Sequence, residues 1–404
     1  MSLQPLTGAG PTPLPSAARL LSVIGVTLAL GFAVILAGAF LNGTWLIDAQ
    51  GRAIANDFVN VWAAGHLALD GQAAGAYDWT LHKAAEVRAV GHMFDGYYGW
   101  HYPPTFLFAA AMLAVLPYTA AALAWLAATL PVYAASVRGI VGERAGILVA
   151  LGSPAVLWNI TAGQNGFVTA ALIGGTLALV PRRPWLAGLC LGLLSYKPHF
   201  GLLFPVALIA AGQWRVIVAA AFVTTGMIAL SLVAFGTEAW QAFFHWMPIT
   251  SRVVLGDGSA DFSRLQSLFG LVRAHGGDEW LAWGAQGTLM LALVVATAWL
   301  WRSRAAYELK AAALSCAALL ATPYLYMYDL VALTVPVAFL IRFALQRRFL
   351  AGEVAGLIAA VALLLSFPYT KTQVGLAATA IVAALIAQRI ALAARRDATA
   401  LTPA

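Results

Sequence analysis

Residues 20–41 read LLSVIGVTLALGFAVILAGAFL, a run of apolar and small residues without a charge. A helix of about 20 such residues crosses the hydrocarbon core of a bilayer. The run exceeds the roughly 7–15-residue apolar core of a cleaved signal peptide, so it predicts a first membrane-spanning helix. The rest of the chain repeats the theme. Of 404 residues, 62% are hydrophobic and 10% are charged, whereas a soluble domain carries about 25% charge. Soluble globular and disordered classes are excluded. Two cysteines, Cys190 and Cys316, both inside apolar runs, exclude a disulfide scaffold. The net charge of +7 does not make a nucleic-acid surface, because the basic residues are scattered in ones and twos between apolar runs. Long unbroken apolar runs also argue against an outer-membrane barrel. The fold class read from the sequence is therefore an all-α polytopic integral membrane protein. It forms a single membrane-embedded domain over 1–404, with a flexible cytoplasmic tail at 1–18.

About twelve spans are expected, at 20–41, 119–137, 145–160, 166–180, 185–196, 200–211, 215–235, 286–301, 310–322, 330–342, 353–367 and 374–391. Basic residues favour the cytoplasmic side. With both termini inside, that side collects most of them, from Arg19 to Arg396, provided that 103–116 is a half-span or surface helix. The acidic residues, which took no part in the assignment, then fall mostly outside. Only Glu143, Glu308, Glu353 and Asp397 lie inside, and all seven histidines lie outside. This predicts a multi-pass protein of the bacterial cytoplasmic membrane, working at its outer face. Two outer loops hold the polar content, at 42–118 and 236–285. The first is read as an amphipathic helix from Asp57 to about Asp70, a second helix from Thr80 to about Val90, and a stiff aromatic tip at 96–104. No phosphate-binding loop, zinc motif or nucleophile elbow is present, and no internal repeat appears.

Several outer-boundary residues carry chemistry. Asp57 reads as a helix N-cap or as a general base at the membrane surface. His101 and Tyr102 precede Pro103-Pro104 and read as helix punctuation or as neighbours of a substrate. Gln164 and Asn165, in Gly163-Gln164-Asn165-Gly166, read as a tight turn or as amides paired with sugar hydroxyls; unpaired amides at membrane depth are costly. Lys197, in Lys197-Pro198-His199, separates two runs of about 12 residues. A cation there costs about 2.5–3.5 kcal/mol, so the readings are snorkelling or an anionic group such as a lipid-linked phosphate. Arg252, Arg264 and Gln266 read as solvated loop residues. Tyr324, Tyr326 and Tyr328 suit an interfacial belt, and Asp329 needs a partner or water.

In order, Asp57-Phe58, Tyr102-Pro103-Pro104, Gly163-Gln164-Asn165, Lys197-Pro198, Trp214-Arg215, Thr322-Pro323 and Tyr328-Asp329 resemble glycosyltransferase family 87 of the GT-C superfamily, over roughly residues 20–345. The resemblance implies a GT-C-type fold and an inverting transfer. A polyprenyl-phosphate sugar, most often mannose, is the implied donor, and a glycolipid or glycan is the acceptor. It implies Asp57 as base and neither a nucleotide sugar nor an essential metal or other cofactor. Under it, Lys197, with His199 or Arg264, holds the donor phosphate. Gln164, Asn165, His101, Tyr102 and Asp329 then line the sugar or acceptor site. A lipid-linked sugar flippase or another polytopic transporter is the alternative. It would tolerate loss of Asp57 and form no bond.

Overall fold

The computed structural model describes residues 16–258 and 261–400. The tail expected at 1–18 therefore lies, up to residue 15, outside the described residues. Apart from a hairpin of two two-residue strands, Thr44–Trp45 and Ile47–Asp48, the regular structure is helical. The chain is a polytopic helical membrane protein, as its composition requires.

The opening run forms α1 (Ser16–Leu41). The first polar segment folds into α2 (Phe58–Leu69) and α3 (Trp79–Val90). Asp78 caps α3 by accepting from the Thr80 and Leu81 amides, and Gly91 ends it in the left-handed conformation. A 3₁₀ turn at Pro104–Phe106 leads into α4 (Leu107–Ala114). Even with that turn, the apolar segment Pro104–Ala114 is too short to span, as expected for 103–116. It is followed by α5 (Tyr118–Val141).

Fewer helices than the expected twelve are long enough to span on their own. Among the described residues, seven helices are long and apolar enough to cross a membrane, or eight if a pair bent by 57° counts as one. That pair is α6 (Ala145–Leu151) and α7 (Pro154–Ala162), broken where Pro154 removes a backbone donor. The next three apolar helices are α8 (Gly166–Leu179), α9 (Pro184–Leu193) and α10 (Phe204–Ala210). Each falls short of the roughly 20 residues a span needs, because turns around Gly163, Pro184 and Pro198 interrupt them.

The expected second outer loop, 236–285, is mostly helix. One element, α11 (Trp214–Ser251), runs through a kink at Gly236, where φ is +78°. Its second half packs on the first polar segment, with Phe243 against Tyr77 and Trp246 against Trp79. Then come α12 (Leu268–Ala274), α13 (Glu279–Arg302) and α14 (Tyr307–Ala321). The chain closes with α15 (Thr334–Arg347), α16 (Glu353–Thr370) and α17 (Val374–Ala400). A 3₁₀ turn at Asp329–Leu333 enters α15. This continuous segment is the most buried of the spans.

Each end of the bundle has its own ties. At one end Arg342 donates to the Ile140 carbonyl at 2.9 Å, and Arg389 Nε meets Glu353 Oε1 at 2.8 Å. At the other, Gln266 is fully buried. Its backbone N–H donates to the Leu325 carbonyl, and its Oε1 accepts from the Gly375 amide at 2.8 Å. Ser267 Oγ donates to the Pro323 carbonyl at 2.8 Å. The 261–267 segment is thereby fastened across the turns that enter α15 and α17. Gln266, read from sequence as a solvated residue, is a structural clamp.

Candidate functional site

The site is built where the turn before α2, the α7–α8 turn, the α9–α10 break and the turn before α15 meet. Asp57 stands at the N-cap position of α2 but its side chain does not cap the helix. Its backbone is helical and its side chain bonds no first-turn amide. The neighbouring Asn56 does that work. Its Oδ1 accepts from the Phe58 amide at 3.1 Å and from the Tyr118 hydroxyl at 3.0 Å, while its Nδ2 donates to the Thr161 carbonyl at 3.2 Å. With Asn56 supplying the local bonds, the Asp57 carboxylate is left for something else. Its Oδ2 accepts from Gln164 Nε2 at 3.0 Å.

Gln164 is buried, and its Oε1 accepts from the Tyr102 hydroxyl at 3.3 Å. A line therefore runs from Tyr102 through Gln164 to Asp57. Burial raises the Asp57 carboxyl above its ordinary range. The Gln164 hydrogen bond and the Arg264 and Lys197 charges oppose that shift, and the Asp329 charge adds to it. A carboxylate with a raised pKa and a fixed donor beside it suits proton abstraction.

Glycines let these segments approach. At Gly163 φ is +68°, and a Cβ would lie 2.6 Å from Phe58 Cβ, next to Asp57. At Gly166 a Cβ would lie 2.5 Å from the Tyr328 carbonyl oxygen, next to Asp329. The Gly163–Gly166 turn is thus wedged between the two carboxylate-bearing turns. Gly163→Ala is expected to cost about 1–3 kcal/mol, since it combines a left-handed backbone with overpacking. Thermal unfolding of the purified protein in detergent would register this as a lowered midpoint. An unchanged midpoint would contradict the packing described.

Asn165 is buried, and neither its Oδ1 nor its Nδ2 has a hydrogen-bond partner among the described residues. A buried amide without partners costs about 1–3 kcal/mol, so both amide atoms are open to a further donor or acceptor. Its backbone oxygen accepts from Tyr196, whose hydroxyl also meets Thr169 Oγ1 at 2.6 Å.

Lys197 does not snorkel. It is 5% exposed, and its Nζ donates to Asp329 Oδ1 at 2.7 Å. This is the partner that Asp329 required. The ammonium sits 5.6 Å from the centre of the Tyr328 ring and 6.0 Å from that of Tyr102. Tyr326 and Tyr328 stack on each other at 5.4 Å. Two of the three Lys197 N–H donors remain for another acceptor.

The other expected residues lie around this centre. Arg264 is exposed, its side chain forms no hydrogen bond or ion pair among the described residues, and its charge acts on Asp57. His199 is half-buried, its ring against Phe200 and 6.2 Å from Tyr324. His101 is exposed and makes no hydrogen bond among the described residues. The structure thus brings Asp57, Gln164, Asn165, Tyr102, Lys197 and Asp329 together, with Arg264 within electrostatic reach. It shows no bond from His101 or His199 to that centre.

Sequence reasoning missed Tyr98, Tyr196 and Thr169. Tyr98 lies in the electrostatic neighbourhood of Asp57, and its backbone amide donates to buried Glu86 Oε1 at 2.9 Å. Burial pushes that Glu86 carboxyl up to about 7. Tyrosine at a helix end is ambiguous between belt and site, and no local pattern separates the two.

A model of glycosyltransferase family 87 matches residues 100–323, more than half of the chain. The matched stretch holds Tyr102, Gln164, Asn165, Lys197 and Arg264, while Asp57 and Asp329 lie outside it. No curated protein and no solved structure matches the chain.

Proposed function

Because the chain belongs to glycosyltransferase family 87, we propose that this membrane glycosyltransferase moves a sugar, mannose first among candidates, from a polyprenyl-phosphate donor to a glycolipid or glycan acceptor. The reaction would take place at the outer face of a bacterial cytoplasmic membrane. The observation that carries the proposal is the Asp57 carboxylate, released from capping and held by Gln164 beside the buried Lys197–Asp329 pair. Asp57 takes the proton of an acceptor hydroxyl. That oxygen attacks the anomeric carbon, the carbon–oxygen bond to phosphate breaks, and polyprenyl phosphate leaves with the electron pair. One in-line displacement inverts the anomeric centre. Lys197, with His199 or Arg264, stabilises the leaving phosphate. Asn165 and Gln164 hold sugar hydroxyls. Asp329 keeps Lys197 in place, and Tyr102 and His101 face the acceptor.

The test is a donor panel. The protein in nanodiscs would receive labelled polyprenyl-phosphate mannose, glucose and arabinose in turn, with a nucleotide sugar as control and a lipid extract as acceptor. The expected result is an inverted product from one lipid-linked donor and none from the nucleotide sugar. Transfer from the nucleotide sugar alone would overturn the donor assignment.

A further inference from the structure

At the end of the bundle away from Asp57, a pocket of about 430 Å³ opens between the ends of α10 and α13 and the starts of α11 and α14. It is lined by Gln213, Trp301, Arg302, Tyr307 and Lys310, with Ala210 and Ala211, and none of these is acidic. We propose that this pocket binds a phosphate group, and that an anionic membrane lipid supplies it.

Four observations converge. First, two helices begin at the pocket, α11 after Gln213 and α14 at Tyr307, and neither has a side-chain cap. Their first-turn amides and positive dipole ends face an anion favourably. Second, Lys310 is held in place there. Its Nζ donates to the Ser303 carbonyl at 2.7 Å and to the Trp301 carbonyl at 3.3 Å. Those two carbonyls use two of three N–H groups, so one donor and the charge remain. Third, Arg302 is exposed at the rim, and its guanidinium forms no hydrogen bond or ion pair among the described residues, so its N–H fork is free for an anion. Fourth, Trp301 lines the pocket, and its buried indole N–H has no partner among the described residues. The one acid in the first turn of α14, Glu308, is turned toward Arg342, at 3.6 Å.

The tryptophans near the pocket favour a lipid source. Trp214, next to Gln213, is 59% exposed and Trp299 is 65% exposed, as indoles at a membrane–water boundary are. Basic pockets between spanning helices at that level suit anionic headgroups. The proposal does not rest on the transferase reading.

The test uses the full chain purified in a neutral detergent. Thermal unfolding would be followed against short-chain phosphatidylglycerol, phosphatidylcholine and inorganic phosphate. Phosphatidylglycerol should raise the midpoint saturably and phosphatidylcholine should not. Arg302→Gln should shift half-saturation by about tenfold, the loss expected for one charge-assisted contact, and Lys310→Gln should do at least as much. Because Arg302 is exposed, its substitution leaves the fold intact. Saturation by inorganic phosphate at similar concentrations would keep the phosphate site but assign it to a soluble ligand. Equal responses to both lipids, no saturable response to either phosphate source, or wild-type half-saturation in Arg302→Gln would overturn the proposal.

Discussion

Asp57→Asn is expected to lower the turnover number for sugar transfer by about 10²–10⁴-fold, the range for losing a positioned general base, while donor affinity stays near that of the wild type. The substitution preserves size, and the Asn oxygen still accepts from Gln164 Nε2, so the turn held by Asn56 is left alone. What disappears is an interaction made only as the acceptor oxygen gains charge, which reduces turnover and not ground-state binding. The pH profile gives a second readout. Burial raises the Asp57 carboxyl above its ordinary value of 3.8. Activity should therefore fall as pH drops through a midpoint above that value and level off on the alkaline side. Residual activity of Asp57→Asn should lack this acid limb. Steady-state kinetics across pH in nanodiscs would measure both, and an unchanged limb in the variant would assign the base elsewhere.

Lys197→Met should destabilise the protein by about 3–5 kcal/mol, because it leaves Asp329 charged and buried without its partner. The pair is close, at 2.7 Å, and both side chains are almost fully buried. Replacing both partners, as in Lys197→Met with Asp329→Leu, should recover most of the lost thermal midpoint, since an apolar pair carries no desolvation cost. Activity separates structure from chemistry. If Lys197 stabilises the leaving phosphate, the double variant stays impaired in transfer although it is folded. Wild-type transfer by the double variant would reduce the pair to a packing device.

Much of this architecture could be read from residue order. The apolar run at 20–41, the helices beginning near Asp57 and Thr80, and the short helix after Pro103-Pro104 appear where the pattern places them. Periodicity and proline carry that information locally. Span number was not legible in the same way. Runs of 13 or 14 apolar residues between turns, such as 166–179, look like spans, yet they fall short of bilayer thickness once their ends are fixed by Gly163 and Pro184. The extension of α11 beyond Gly236 was hidden because its second half is stabilised by Tyr77 and Trp79, far back in the chain.

The site divides the same way. Residue type and position flagged Asp57, Gln164, Asn165, Lys197 and Asp329 one by one. Their relations were out of reach. Lys197 finds Asp329 across 132 positions, and Gln164 finds Asp57 across 107. That Asn56, and not Asp57, supplies the local hydrogen bond follows only from the three-dimensional arrangement. A spacing argument cannot tell which of two adjacent polar residues spends itself on the backbone.

The most direct test of the central claim is transfer of labelled mannose from polyprenyl phosphate, run with wild type and Asp57→Asn in matched nanodiscs and resolved by product chromatography. The account predicts a new glycosidic product from wild type and at least a hundredfold less from the variant, with polyprenyl phosphate released in step. Equal product from both proteins would contradict the role of Asp57. Label that crosses the bilayer still attached to its lipid, with no bond formed for any donor, would contradict the transferase itself.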